Sequence, residues 1–410
     1  MHVLDAPIRD YAWGSTDLLA ELQGRTPTGR PEAEMWLGAH PGAPSLAEVD
    51  GRAIGLDELI SADPDRHLGQ AARFGRLPFL MKLLAAGEPL SIQAHPTLEQ
   101  ARAGFAAEEA AGVPRDATHR NYRDDNHKPE MIVALTPFAA LCGFRRTEDS
   151  SATFERLSAH MREHADGEVT EAAAEVRRLH LLLAEADLAG AFEALLTPGS
   201  VFRRGGTAEV VSVIEALPDL EALEPELATA LQISRVHPDD PGVLVALLLN
   251  RVDLVPGQAI HLPAGNVHAY LHGLGVEVMA SSDNVLRGGL TAKHVDVPEL
   301  EKVVAFEPLP VPYTNPEQVA EGHVLFRPPF EEFRLHQVSP DGRTVPVVEA
   351  NGPAIAVATR SSVEVSCGDE AVVLGPGQAV FVSADETTGR PLRVRAAEDG
   401  HAMAHIATVG

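Results

Sequence analysis

Three separated segments carry side chains able to hold a divalent metal. The first is Leu90-Ser91-Ile92-Gln93-Ala94-His95-Pro96. In an extended strand residues two apart face the same side, so Ser91, Gln93 and His95 share a face, and Pro96 can end the strand. An amide oxygen and an imidazole nitrogen at that spacing make half of a metal site. The second is Asn126-His127-Lys128-Pro129-Glu130-Met131, in which Lys128 and Glu130 share a face and Glu130 offers a carboxylate. The third is His268, with Tyr270 on the same face of its strand. Gln93, His95, Glu130 and His268 together give two nitrogens and two oxygens, with room left for substrate or water. Singly, each part is ordinary, and His127, His261, His272 and His294 compete for ligand roles on composition alone.

Charge narrows what such a site could serve. The chain has 33 basic and 59 acidic residues among 410, a formal charge of −26. That field repels polyanions, so neither nucleic acid nor an anionic membrane surface is an expected partner. A phosphorylated metabolite would be repelled too, unless cations are concentrated where it binds. Only four of the basic residues are lysines, at Lys82, Lys128, Lys293 and Lys302. A compact, rotatable ammonium does what a planar guanidinium cannot, and Lys128 and Lys293 both fall inside the motifs. Cys142 and Cys367 form no CxxC pair, so the expectation is a cytoplasmic protein with reduced thiols and no disulfide framework. Met1 to Asp10 has no basic patch leading into a long apolar run, so no signal peptide is expected. The longest apolar run, Val243–Leu249, is far short of the ~20 residues of a spanning helix.

The elements that must position these groups fall into three textures. Residues 1–145 are mixed and rich in Gly and Pro. From about 147 to 232, segments such as Glu171–Glu185 and Leu188–Leu196 show apolar residues at helical spacing and little Gly or Pro, which predicts an inserted helical domain. From His237 onward the pattern predicts short strands at Val243–Leu249, Gln258–Leu262, Val267–Leu271 and Val276–Ala280. Pro256-Gly257-Gln258-Ala259-Ile260 is echoed by Pro376-Gly377-Gln378-Ala379-Val380, and only the first copy runs on to a histidine, His268. Two related β-sandwiches follow from this echo, one carrying chemistry and one structural. A PG turn, a strand, PxG and a histidine resembles the cupin jelly roll. The expected fold is therefore mainly β: two cupin-like antiparallel sandwiches and a helical domain. The catalytic unit would span 1–146 and 237–315, the insert 147–236 and the second sandwich 316–410.

Taken in order, Tyr11-Ala12-Trp13-Gly14, Glu34-Met35-Trp36-Leu37-Gly38, Leu90–Pro96, Asn126–Glu130, Pro263–Tyr270 and Ser282–Lys293 resemble the signatures of type I phosphomannose isomerases. The likeness covers about 1–145 and 237–305. It implies one zinc ion per chain, held by Gln93, His95, Glu130 and His268, and a phosphorylated hexose as substrate. Gly288-Gly289 and Ala292 depart from the commoner pattern, in a way that bears on loop stiffness.

Interconverting an aldose phosphate and a ketose phosphate moves a proton between carbon 2 and carbon 1 through an enediol. The reaction needs a base, a shuttle for oxygen protons and positive charge where oxyanion character develops. The resemblance makes Arg287 the active-site residue; a cationic arginine is a poor base, so its expected role is to stabilise the enediolate and hold oxygen. Lys128 is expected on sugar oxygens, and Lys293 with Ser91 on the phosphate. Glu277 and Asp283 are the candidate bases, with orientation of Arg287 or Lys293 as the alternative role for both. Trp13 and Tyr270 are expected against a sugar face, with a place in the core as the alternative for both, and Lys82 and Glu34 are expected behind the site or as structural groups. A monomer is expected. The rival readings are another metal-dependent cupin enzyme, such as an iron oxygenase, and a non-catalytic sugar-binding protein with a relic metal site.

Overall fold

Short apolar runs of the first and last thirds of the chain pair as antiparallel strands, and the helical texture between them folds onto one side. The computed structural model describes residues 1–163, 169–217, 224–341, 343–398 and 400–410. Stretches 164–168 and 218–223 of the expected helical insert, and 342 and 399 further on, lie outside the described residues. Among those described, the strands form sheets of ten, nine and four. No helix among them is long and apolar enough to cross a membrane.

The ten-stranded sheet is organised around one long strand, His268–Ala280, which pairs along its length with Phe79–Ala86, Glu130–Ala134 and Phe138–Phe144. The sequence predicts two strands here, Val267–Leu271 and Val276–Ala280. They are one strand with a register shift between Tyr270 and His272. Val243–Leu249 is a second correction. Gly242–Val245 is α-helical, Ala246–Leu248 is a 3₁₀ turn, and the strand begins only at Leu249. Every side chain of that run is buried, so no alternation distinguishes a buried helix from a buried strand. Pro241 at its entry suits a first helical turn, where no backbone N–H is missed. Of Leu90–Pro96, only Gln93–Ala94 makes strand pairs.

Helices Thr147–Glu163, Glu171–Ala184, Leu188–Leu196, Gly206–Ala216 and Pro225–Val236 stack on the outer face of this sheet. Thr170 and Asp187 cap two of them by accepting from the amides of Ala173 and Gly190. Phe154, Phe192 and Phe202 share one core with Leu141, Ala269 and Leu271 of the sheet. Each such ring contributes about 1.5–3 kcal/mol by leaving water.

The nine-stranded sheet joins the two ends of the chain. His2–Asp5 lies between Ala379–Val382 and Leu46–Val49, with His2 opposite Phe381. Its one face packs on the ten-stranded sheet through Met81, Leu83, Val278, Phe333, Leu335 and Phe381. Its other face packs on the four-stranded sheet through Val338, Ala356, Val365, Val394 and Ile406. The echoed PGQA sequence is the same turn used twice. Gly257 and Gly377 have φ of +88° and +80°. In each copy the glutamine amide donates back three residues, and its side-chain oxygen accepts from that same residue's N–H. A strand follows both turns, Ala259–Leu262 and Ala379–Val382.

Candidate functional site

His95, Glu130 and His268 converge, with one ligand atom from each lying within 4.8 Å of the others, and all three are fully buried. The supporting hydrogen bonds decide which atoms face the cluster. His95 Nδ1 bonds to the Asn284 carbonyl at 2.8 Å and His268 Nδ1 to the Asn266 carbonyl at 3.1 Å. A carbonyl only accepts, so both rings carry the proton on Nδ1 and present the Nε2 lone pair inward. Lys128 Nζ donates to Glu130 Oε1 at 2.6 Å, leaving Oε2 3.5 Å from His95 Nε2 and 3.3 Å from His268 Nε2. These three inner atoms are buried and have no hydrogen-bond partner. An unsatisfied buried polar atom costs about 1–3 kcal/mol, and three lone pairs aimed at one point fit a cation. Burial pushes His95 down to about 4, helped by the Lys128 charge. Burial alone would raise the Glu130 carboxyl, but Lys128 and the imidazoles hold it well below the ordinary range. Gln93 stands directly opposite His268 on one side and Arg287 on the other, which sets its amide beside the cluster.

The competing histidines are engaged elsewhere. His127 pairs with Glu332 at 2.5 Å, and His261 bonds to Thr314. His294 meets the ring of His119, and His272 is exposed.

The bulge in the long strand explains how His268 and Glu277 serve one cavity. They are nine residues apart, and strict alternation would put them on opposite faces. One extra residue between Tyr270 and His272 inverts the alternation, so Glu277 joins Tyr270 on the cavity wall while Val276 and Val278 turn to the core. Across neighbouring strands, Lys82 lies opposite Glu277 on one side and Trp36 on the other. Its ammonium is 3.0 Å from Glu277 and 3.2 Å from Glu34, and 5.3 Å from the centre of the Trp36 ring. Burial would lower the lysine pKa, but Glu277 and Glu34 push it up. Burial raises Glu277, opposed by Lys82. The buried Tyr270 hydroxyl closes no hydrogen bond, and its pKa is driven well up, first by burial and then by Glu277.

Above the cluster is a cavity of about 440 Å³ lined by Trp13, Glu34, Lys82, Ser91, Gln93, Lys128, Glu130, Tyr270, Glu277, Asp283, Arg287 and Lys293. Arg287 is held by a short strand pair, Leu286 with Ala94 and Arg287 with Gln93, extended by bonds between Ile92 and the two following glycines. Gly289 has φ +125°, and a Cβ there would meet the Gly242 Cα at 2.8 Å, so this departure from the commoner pattern is dictated by a close backbone approach. Burial lowers the pKa of both Arg287 and Lys293, and the cation of Arg123 lowers them further. Arg123, which the sequence reading passes over, is exposed and does not line the cavity, but its charge reaches both cations. Trp13 stacks on Tyr11 at 5.7 Å.

Two more residues escape the sequence reading. His40 Nε2 lies 3.4 Å from Asp283 and, with burial opposing, holds that carboxyl below its usual range. Asn284, wholly buried, donates to the carbonyls of Asp124 and Asn126, and its own side-chain oxygen accepts from the Arg123 amide. It fixes the loop before Lys128 while its carbonyl orients His95. Neither residue has a charge or spacing that would advertise this in a lone sequence.

Comparison with known proteins agrees with this geometry. Residues 1–147 match the family described as phosphomannose isomerase type I, catalytic domain. Mannose-6-phosphate isomerase of Escherichia coli K12 is 37% identical over 94% of this chain and 96% of its own. The Salmonella typhimurium LT2 enzyme is 38% identical over 96% and 99%. A crystal structure of mannose 6-phosphate isomerase bound with zinc and yttrium superposes with a TM-score of 0.85 at 35% identity, covering 100% of both chains. With that identity sustained along both chains, this protein belongs to the type I phosphomannose isomerases, the mannose-6-phosphate isomerases.

Proposed function

We propose that the protein is a zinc-dependent aldose–ketose isomerase, interconverting mannose-6-phosphate and fructose-6-phosphate through an enediol. The observation that carries this reading is the set of three buried, unpartnered ligand atoms beneath a cavity lined by Lys128, Arg287 and Lys293. His95, Glu130 and His268, with Gln93, would hold the zinc. When bound, the ion supplies a Lewis acid that polarises sugar oxygens.

The chain's own groups do the rest. Glu277, whose pKa is raised toward the working pH, takes the proton from carbon 2 of the aldose and returns it to carbon 1. As electron density moves to the oxygens, Arg287 stays cationic and stabilises the charge. The matching oxygen-proton shift takes place beside Lys128, whose ammonium also bonds to Glu130. Asp283, with its pKa lowered, is the weaker base and serves to orient the rim. Ser91 and Lys293 hold the phosphate, joined by Arg123, and Trp13 packs a sugar face. Lys82 and Glu34 set the charge state of Glu277 from behind.

The architecture is read as two cupin-like jelly rolls, 1–146 with 237–315 and 316–410, with the helical insert at 147–236. On this reading the N-terminal strands are lent to the second jelly roll's sheet, a lending supported by the pairing of His2–Asp5 with Ala379–Val382.

A coupled assay for fructose-6-phosphate formed from mannose-6-phosphate tests the reaction. Turnover should vanish on chelation and return with zinc; no turnover by folded, zinc-loaded protein would sink the reading. Replacing Arg123 by Ala should raise KM about 10- to 100-fold, the worth of one charge-assisted contact, with kcat changed far less. An unchanged KM would remove Arg123 from the phosphate site.

A further inference from the structure

A second polar interior lies in the other sandwich, apart from the metal cluster. Strands His323–Phe326, Arg334–Val338 and Met403–Thr408 are neighbours in the nine-stranded sheet. On their inner face Val338, Ala404 and Ile406 pack against the four-stranded sheet as an apolar core. The same face also bears Arg334, His336 and Thr408 by strict alternation. These three, with His323 and Arg327, line a cavity of about 450 Å³. Phe326 is opposite Leu335, so the next pair along is Arg327 and Arg334, two guanidiniums side by side.

This arrangement is unbalanced as it stands. Arg327 reaches Glu317 at 3.4 Å, but Arg334 makes no ion pair or hydrogen bond among the described residues. Burial and the neighbouring Arg327 lower its pKa more than Glu317, the carboxylate paired with Arg327, raises it, so one carboxylate is shared between two guanidiniums. Beside it runs a buried chain: Thr408 Oγ1 is 3.3 Å from His336 Nε2, and His336 Nδ1 is 2.9 Å from His323 Nε2. Burial holds both rings neutral, with His336 pushed down to about 3. If Thr408 donates, each ring donates onward, and His323 Nδ1 is left with a proton. The Val347 carbonyl draws that ring's basicity up slightly but closes no hydrogen bond of good geometry, and Nδ1 is buried without a partner. In a chain of net charge −26, an under-neutralised arginine pair at a half-enclosed cavity calls for an anion.

We propose that this cavity binds the phosphoryl group of a small metabolite, at a site separate from the isomerase centre. Two adjacent guanidiniums match the double charge and several acceptor oxygens of a phosphoryl group, whereas one planar fork already satisfies a carboxylate. The volume exceeds that of phosphate alone, and Glu349 and Asn351, which also line the cavity, offer hydrogen bonds to hydroxyls of an attached polyol.

Calorimetric titration of the zinc-loaded full chain, with a hexitol 6-phosphate that cannot isomerise and separately with inorganic phosphate, tests the site. Wild type should show two binding events with the hexitol phosphate. Arg334→Gln and Arg327→Gln should each weaken one event about 10- to 100-fold, the range for loss of a charged hydrogen bond. The other event and kcat/KM should be unchanged. Matching affinity for inorganic phosphate would mean that the phosphoryl group alone is read; tighter binding of the hexitol phosphate would mean that the polyol is read too. A single event with both probes in wild type overturns the proposal. So do two events that neither substitution alters in protein that still melts as wild type does. Failure of the isomerase reading would remove turnover without touching the event that depends on Arg334.

Discussion

Replacing Glu130 by Ala should release zinc, from about one ion per chain to near none, and lower kcat/KM at least about 10³-fold, since a Lewis acid supplies several kcal/mol of charge stabilisation. The effect should exceed that of losing one neutral ligand, because Glu130 has two duties. Its Oε2 faces both imidazoles, and its Oε1 accepts from Lys128. Truncation leaves a buried ammonium unpaired next to two inward lone pairs, so restored metal would meet a cation where it needs an anion. Zinc content by mass spectrometry, measured alongside activity, separates loss of metal from loss of chemistry. Retention of a full complement of zinc by the folded variant would remove Glu130 from the ligand set.

Lys82→Met should cost about 3–5 kcal/mol of stability, the usual penalty for removing one partner of a buried ion pair. The sign of its pH dependence is the sharper test. Glu277 already has its pKa raised by burial, and Lys82 is the main group opposing that rise. Without the lysine, the folded-state pKa of Glu277 moves further above its unfolded value. A carboxyl so shifted is stabilising when protonated, so the variant should gain stability as pH falls through that raised pKa. Urea unfolding measured at successively lower pH from pH 8 should show the variant closing part of its gap to wild type as Glu277 takes up its proton. If Glu277 is the base, as proposed, the acidic limb of the kcat/KM profile should move to higher pH as it is protonated sooner. A penalty under about 1 kcal/mol with no pH trend would mean that the two carboxylates do not depend on Lys82.

How much of the site is legible in the chain depends on range. The ligand segments are legible because each is local: Gln93 and His95 two apart, Lys128 and Glu130 two apart, and a histidine after a PG turn. The helices Glu171–Ala184 and Leu188–Leu196 are legible because they are amphipathic, with polar caps. What alternation cannot show is its own interruption. A bulge at residue 271 or 272 leaves no mark in composition, yet it alone brings Glu277 round to the His268 side. The run Val243–Leu249 passes for a strand for the related reason that burial on every side erases period. Arg123, His40 and Asn284 act on groups more than 100 residues away in the chain, which only the tertiary fold brings near, and a single sequence carries no trace of that.

The strand His2–Asp5 has a further consequence, for the order in which the protein can be made. It is inserted between Leu46–Val49 and Ala379–Val382, so three of its five ladder partners lie far downstream, at Ala379 to Phe381. At ~5–20 residues per second the ribosome needs roughly 20–80 s to reach them. During that wait the strand His2–Asp5 has one edge unpaired, and the apolar face that Phe381 will cover is open. Closure of this sheet is therefore a late event with high contact order. A nascent chain stalled before residue 379 should be held by chaperones, however complete its metal cluster has become.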